Sequence, residues 1–296
     1  MWLRKISIGV GSVLGGTIAL AFHEASADWE LNMPQGVTET SQQVYNLHMY
    51  ILWICVIIGI LVFGTMFWSI WRHRKSTGAQ AAQFHHSTTA EVAWTIIPVF
   101  ILVGMAIPAT RTLIAMEDTS SPDLTVKVTG YQWKWKYDYL EEEVSFFSNL
   151  HPSSRAAVYE DPSQAENYLL EVDNPLVVPV KKKIRFLITS DDVIHSWWVP
   201  DLGWKKDAIP GFVNEMWTRI PEPGIYRGQC AELCGKDHGF MPVVVVAKSE
   251  EEYQQWVAEQ KSAQAPAGFA AASQSLSSAP PPGAPQVAAE TGAAQL

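Results

Sequence analysis

The chain has 296 residues, 48% of them apolar and 17% charged, with a formal net charge of −9. That acidic balance argues against a nucleic-acid binder, which needs a basic face to neutralise phosphates, and three cysteines exclude a disulfide-rich scaffold. The apolar residues concentrate before residue 113, so a membrane part is joined to a water-soluble part; the 13 tryptophans suit both membrane interfaces and stacked contacts.

Residues 1–27 have the pattern of a cleavable leader. Arg4 and Lys5 precede an apolar run from Ile6 to Phe22, and Ala25-Ser26-Ala27 supplies the small-x-small cleavage site. An uncleaved anchor is the alternative, and either one exports the large C-terminal part of the chain. After a segment at 28–46, a hairpin is expected over 47–113. Its spans, at about 49–71 and 92–110, carry no formal charge, and roughly 20 residues at about 1.5 Å each suffice to cross the hydrocarbon core. The loop between them holds Arg72, Arg74 and Lys75 with no acid before Glu91. The positive-inside rule therefore puts the loop in the cytoplasm and both outer ends on the exported side. Trp68, Trp71 and Trp94 fit an aromatic belt at the cytoplasmic face, and Pro98 and Pro108 predict kinks in the second span.

From residue 117 the pattern changes to short β-rich runs at 124–128, 132–139, 176–180, 184–189, 193–199, 213–220, 225–229 and 242–247. Breakers such as Asp173-Asn174-Pro175, Pro210-Gly211 and Glu222-Pro223-Gly224 lie between them, with no helical pattern intervening. The expectation is an all-β antiparallel sandwich or barrel over 117–248. Ser249 with Glu252 three residues on predicts a capping box that opens a final helix at 249–261. The Ala-, Pro-, Ser- and Gln-rich tail at 262–296 is too poor in large apolar residues to pack, and disorder is expected there.

The chemistry is concentrated between residues 228 and 242, where Cys230, Cys234, His238 and Met241 fall within twelve residues. Thiolate, imidazole and thioether ligands together select copper over hard cations, whereas structural zinc sites do not recruit Met. His195 offers a second imidazole upstream, beside Trp197-Trp198. A strand His with a loop of Cys, His and Met is a cupredoxin arrangement, and the second thiolate suggests two bridged copper ions. The bland alternative is a Cys230–Cys234 disulfide in an oxidising compartment, which would leave His238 and Met241 without a role. Cys55, within the first span, is read as a small buried hydrophobe.

From about residue 40 to 260 the chain resembles subunit II of bacterial haem–copper cytochrome c oxidases. The resemblance is carried by Glu91-Val92-Ala93-Trp94-Thr95 with Pro98, by the stretch Gly130 to Tyr137, and by Glu171-Val172-Asp173-Asn174. It continues through Asp192 to Trp197, Lys206 to Gly211, and the cysteine loop. It implies a membrane α-helical hairpin plus a cupredoxin-like Greek-key domain with a dinuclear copper centre, CuA. In that centre His195 and His238 would each ligate one copper, Cys230 and Cys234 would bridge the pair, and Met241 would be a weak axial ligand. The Glu232 backbone carbonyl would be the opposite weak ligand, and its side chain would bind Mg²⁺ at the boundary with subunit I. The family's activity implies electrons taken from cytochrome c and passed to the haem and copper of subunit I, with oxygen reduced to water and protons pumped. Subunit III and membrane lipid would be further partners, at a bacterial inner membrane with the copper domain and both termini on the periplasmic side.

The resemblance also makes Trp133 the residue through which electrons arrive and Glu91 the mouth of a proton pathway. Two positions depart from the family: Lys134 stands where Tyr is frequent, and Phe212 where Arg is common after Pro-Gly. No Cys-x-x-Cys-His occurs, so the donor is expected to be a separate protein. Residues 117–261 hold 24 acidic against 15 basic side chains, a surface suited to a basic partner such as cytochrome c. The docking candidates are Asp138, Glu141, Glu142, Glu143, Asp173 and Asp192. The leading alternative is a membrane-tethered copper carrier or assembly factor for an oxidase. A nitrous-oxide reductase would share the copper domain but needs a second catalytic metal domain that does not fit in this length.

Overall fold

The computed structural model describes residues 31–264. The expected leader at 1–27 and residues 265–296 of the expected tail lie outside the described residues.

Among the described residues two long helices come first, α1 (Glu39–Arg72) and α2 (Thr88–Glu117). Both are long and apolar enough to cross a membrane. Thr38 caps α1 by accepting the Ser41 N–H at 3.0 Å, which satisfies one of the donors that a helix start leaves free. At about 1.5 Å per residue α1 is about 51 Å long, well beyond the roughly 30 Å hydrocarbon thickness. Its first ten residues therefore carry the chain from the expected span at 49–71 to the folded part outside. The helical assignment of α2 runs unbroken through Pro98 and Pro108. Arg72, Arg74 and Lys75 lie at the turn between the helices, and Glu91 is exposed in the first turn of α2.

Ten strands then form two five-stranded sheets: β1 (Leu124–Tyr131), β2 (Lys134–Tyr139), β3 (Val144–Ser148), β4 (Leu176–Pro179), β5 (Ile184–Ser190), β6 (His195–Val199), β7 (Trp204–Ala208), β8 (Asn214–Thr218), β9 (Gly224–Cys230) and β10 (Pro242–Lys248). One sheet runs β3-β2-β1-β5-β8 and the other β4-β10-β9-β6-β7. The sandwich is not wholly antiparallel as expected, because β1 pairs with β5, and β4 with β10, in parallel. Parallel neighbours need long crossovers. β1 reaches β5 by way of β2, β3, a short helix α3 (Pro152–Ala157) and β4, a path that local pattern does not reveal.

Alternation builds the core. In β2, Trp135, Tyr137 and Tyr139 point inward while Lys134, Lys136 and Asp138 point out, as the two-residue strand period requires. In β5 the inward set is Ile184, Phe186 and Ile188, all fully buried. Phe186, Trp197 and Trp204 pack together across the two sheets with ring centroids 5.1–5.6 Å apart. Burying such a side chain contributes roughly 1.5–3 kcal/mol. The expected capping box is present: Ser249 N–H donates to Glu252 Oε2 at 3.1 Å and Glu252 N–H to Ser249 Oγ at 3.2 Å. It opens α4 (Glu250–Gln264), which covers the sandwich with Tyr253, Trp256 and Val257. The helix takes in residues 262–264, three residues beyond its expected end.

Hairpin and sandwich meet at two places. At the start of α1, Val37 N–H donates to Asp201 O at 2.9 Å and the buried Thr38 hydroxyl to Leu202 O at 2.9 Å. Gly203 lies opposite at φ +82°, and a Cβ there would sit 2.4 Å from Ser41 Cα; only glycine suits both that conformation and that contact. At the end of α2, Trp217 Nε1–H donates to Ala115 O at 3.0 Å, Thr119 Oγ–H to Glu215 at 3.0 Å, and Lys206 pairs with Glu117 at 3.4 Å.

Candidate metal centre

Three turns at one end of the sandwich supply the site. The β1–β2 turn holds Gln132 and Trp133, the β5–β6 turn holds Asp192, and the β9–β10 loop carries residues 231–241. β6 and β9 run side by side with Trp197 opposite Cys230, which brings His195 at the start of β6 to the cysteine loop. The loop is pinned at its base: Cys230 N–H donates to Met241 O at 3.1 Å and Ala231 N–H to Ser196 O at 3.0 Å.

The sequence-predicted ligands converge. His195, Cys230 and Cys234 are all buried, with donor atoms within 4.8 Å of one another. The two sulfurs are 3.8 Å apart and both thiols are free, so the disulfide alternative is not what the structure contains. His238 Nδ1 lies 3.5 Å from Cys234 Sγ, the buried Met241 Sδ 3.7 Å from the same sulfur, and Glu232 O 3.3 Å from Cys230 Sγ. The Glu232 side chain is exposed. His195 Nδ1 is buried without a hydrogen-bond partner, a costly state for a polar nitrogen in an apolar core. A lone pair left unmatched beside two free thiols is what a soft metal ion would satisfy. These residues fit copper.

The ligands' proton affinities are pulled apart. Burial favours the neutral form of Cys230, but the neighbouring imidazole of His195 and the surrounding backbone outweigh it and lower the pKa. Burial and then the negative charge of Cys230 push the Cys234 thiol up to about 12. For His195 burial opposes charge, yet the Cys230 sulfur and the Asp192 carboxylate raise its pKa above the usual value. With its thiol pushed up to about 12, Cys234 carries a proton that metal uptake must displace.

Trp133 is half-buried above the loop, and its Nε1–H donates to the Cys234 carbonyl at 3.2 Å. Lys236 Nζ lies 5.6 Å from the centre of its ring. Lys134 turns away to stand 4.4 Å over Phe147. Phe212 is exposed near this end, as are Ile194 and Leu233.

The six expected docking acids are spread out. Asp138 lies at the far end of β2 from Trp133 and pairs with Lys136 at 2.8 Å, while Glu141, Glu142 and Glu143 occupy the turn beyond it. Glu141 accepts the Thr125 N–H and Glu142 pairs with Lys261. Asp173 accepts the backbone and side-chain N–H groups of Asn149. Asp192 accepts from His195 Nε2 at 2.8 Å.

Sequence reasoning missed two contributors. Gln132 Nε2–H donates to the Cys234 carbonyl at 2.9 Å; a lone Gln in an aromatic run carries no signal of its own. Gly130 packs on His195, and a Cβ there would stand 2.8 Å from ring atom Cδ2. A glycine inside a strand is itself a mark of close approach, so that signal was present.

The family profile for the cytochrome c oxidase subunit II periplasmic domain matches residues 124–248, and that for the subunit II transmembrane domain matches 26–112. A probable cytochrome c oxidase subunit 2 of Rickettsia felis is 39% identical over 230 residues, 78% of this chain and 71% of that one. The mitochondrial cytochrome c oxidase subunit 2 of Vigna unguiculata is 39% identical over 87% of this chain and 69% of its own. Among solved structures, the periplasmic domain of subunit II of the Bradyrhizobium japonicum cytochrome oxidase is 40% identical with a TM-score of 0.45. That match covers 50% of this chain and 99% of that one.

Proposed function

Because the chain belongs to the cytochrome c oxidase subunit II family, a membrane-anchored part of an oxidoreductase complex, we propose that it receives electrons from cytochrome c and passes them to subunit I. The observation that carries this reading is the buried convergence of His195, Cys230 and Cys234 directly beneath a surface tryptophan bonded to the Cys234 carbonyl. Cys230 and Cys234 would bridge two copper ions, His195 and His238 would each hold one, and Met241 and the Glu232 carbonyl would be the weak ligands. Copper bound there supplies one-electron redox chemistry. The chain's part is to hold soft donors rigidly in a dry pocket, so that little rearranges when charge changes. Trp133 would accept the electron at the surface and lead it through its hydrogen bond to Cys234.

In the same reading Glu232 turns its carboxylate outward to Mg²⁺ at the boundary with subunit I. Glu91, exposed at the start of α2, admits protons from the cytoplasmic side for the oxygen chemistry and proton pumping of that subunit, and subunit III completes the complex. The sandwich would stand on the periplasmic side of a bacterial inner membrane, the leader at 1–27 having been removed. The acidic surface, including Asp138, Glu141, Glu142, Glu143 and Asp173, would draw in basic cytochrome c over distance. Glu232→Gln should deplete the interfacial Mg²⁺, and Glu91→Ala should slow turnover with copper intact.

The decisive test is metal analysis of the whole protein in detergent after copper loading. Two coppers per chain and a purple mixed-valence spectrum are expected, both lost in Cys234→Ser. One copper per chain, or a preference for zinc, would overturn the dinuclear assignment.

A further inference from the structure

Asp192 is not placed like an acid waiting for a partner protein. Its Oδ1 accepts from His195 Nε2 at 2.8 Å and from Val193 N–H at 2.6 Å. Its Oδ2 accepts the Gln132 N–H at 2.7 Å. Both oxygens are committed within the fold, and the Gln132 side chain continues the chain of bonds to the Cys234 carbonyl. On the other side of the imidazole, Nδ1 faces the thiols with no hydrogen-bond partner.

We propose that Asp192 is a positioning residue of the metal centre. It holds the proton of His195 on Nε2 so that the Nδ1 lone pair points at the metal, and through Gln132 it fastens that histidine to the Cys234 loop. The inference rests on the copper reading above.

A neutral imidazole carries one proton, and whichever nitrogen keeps it cannot bind metal. Packing alone does not decide between the two. The ring is fully buried, with Gly130 against one side and Trp135 in edge contact at 5.9 Å, which fixes where it stands but leaves both tautomers possible. A carboxylate at Nε2 removes that freedom, because only the Nε2–H form has a hydrogen bond to offer it. Outer partners of this kind typically change metal affinity by about 10–100-fold. The bond from Gln132 to Cys234 adds a second constraint, since the β1–β2 turn and the cysteine loop then move together. Trp133 donates to that same carbonyl, so the acceptor surface and the imidazole share one brace.

A docking acid and a positioning acid have different signatures. The test uses the full-length protein in detergent, native and with Asp192→Ala, Asp192→Asn or Gln132→Ala, all loaded with copper. Copper retention against a chelator, the visible and electron-paramagnetic-resonance spectra, and the rate of electron transfer from reduced cytochrome c against salt are measured. Asp192→Ala is expected to lose copper about 10–100-fold more readily with an altered copper hyperfine pattern. Asp192→Asn, whose carbonyl still accepts from Nε2–H, should fall between it and native, and it carries the test if the Ala protein does not fold. Gln132→Ala should show the smaller loss of a single cross-brace. Native copper retention and spectrum in Asp192→Ala and Asp192→Asn, with only the rate of electron transfer from cytochrome c and its salt dependence changed, would overturn the inference while leaving the copper reading intact. A native protein that held no copper pair would overturn both.

Discussion

The hairpin and the sandwich treat the same kinds of side chain in opposite ways. Phe63 and Phe67 in α1 and Phe100 in α2 are each more than half exposed, whereas Phe186 in β5 is fully enclosed by Trp197 and Trp204. The sandwich completes its own core and can hold a site whose ligands must not move. The hairpin leaves its apolar surface open, and burial of that surface has to come from lipid or from neighbouring helices. The contrast teaches which functions each half can own. Rigid coordination belongs to the half that is closed on itself, and assembly to the half that is not.

The sharpest way to probe that division is Trp133→Gln, which removes the ring between surface and site and leaves both halves folded. Electron transfer from reduced cytochrome c should be lost at every salt concentration while copper content and affinity for the donor persist; a normal rate would make Trp133 a packing residue. Next in size is a matched pair. Phe186→Ala should cost the sandwich about 3–5 kcal/mol by opening a cavity, whereas Phe63→Ala should leave its thermal unfolding unchanged, as measured by tryptophan fluorescence. Equal effects would mean that the hairpin supports the sandwich core.

The junction is expected to respond less. Gly203→Ala places a Cβ into Ser41 at a left-handed φ and should lower stability by about 1–3 kcal/mol, with increased protease sensitivity around residues 31–41. The smallest effect is on pH. Hydrogen bonding from Arg185, then from Thr119, holds Glu215 below the usual carboxylate range despite opposing desolvation. A depressed acid contributes stability that is complete above its unfolded pKa and is lost as pH falls through its folded one. The junction at Thr119 should therefore loosen only in acid, and Glu215→Gln should flatten that dependence. Because the pair is only half-buried, solvent screens it and the change should be slight and weaker in salt.

Much of this molecule could be read in the residues. The helices announced themselves through long uncharged runs, and strands such as β5 and β10 through β-branched content. Two strands escaped, β3 and β7; both are sheet edges, although the other two edges, β4 and β8, were expected. An edge strand is half-solvated and often carries lysine to discourage further pairing, so Trp204-Lys205-Lys206-Asp207-Ala208 lacks the apolar weight of an interior strand. The candidate ligands were visible because their chemistry is rare in combination. Asp192 was legible as an acid but not as the partner of His195, since a contact between a turn and the next strand depends on how the turn folds back. Gln132 reaches Cys234 across 102 positions of sequence, a distance that no local pattern spans.

The contact of Gly203 with Ser41 bears on the electron transfer proposed above. With Thr38 and Val37 bonded into the Pro200–Leu202 turn and Trp217 bonded to the end of α2, the sandwich is held to its stalk at both roots. Electron tunnelling falls steeply with separation, so a donor domain on a loose tether would spend most of its time out of range and would deliver charge in bursts set by diffusion. In the reading proposed above, these two roots would set the height and tilt of the pocket above the bilayer, and only the incoming carrier would have to search.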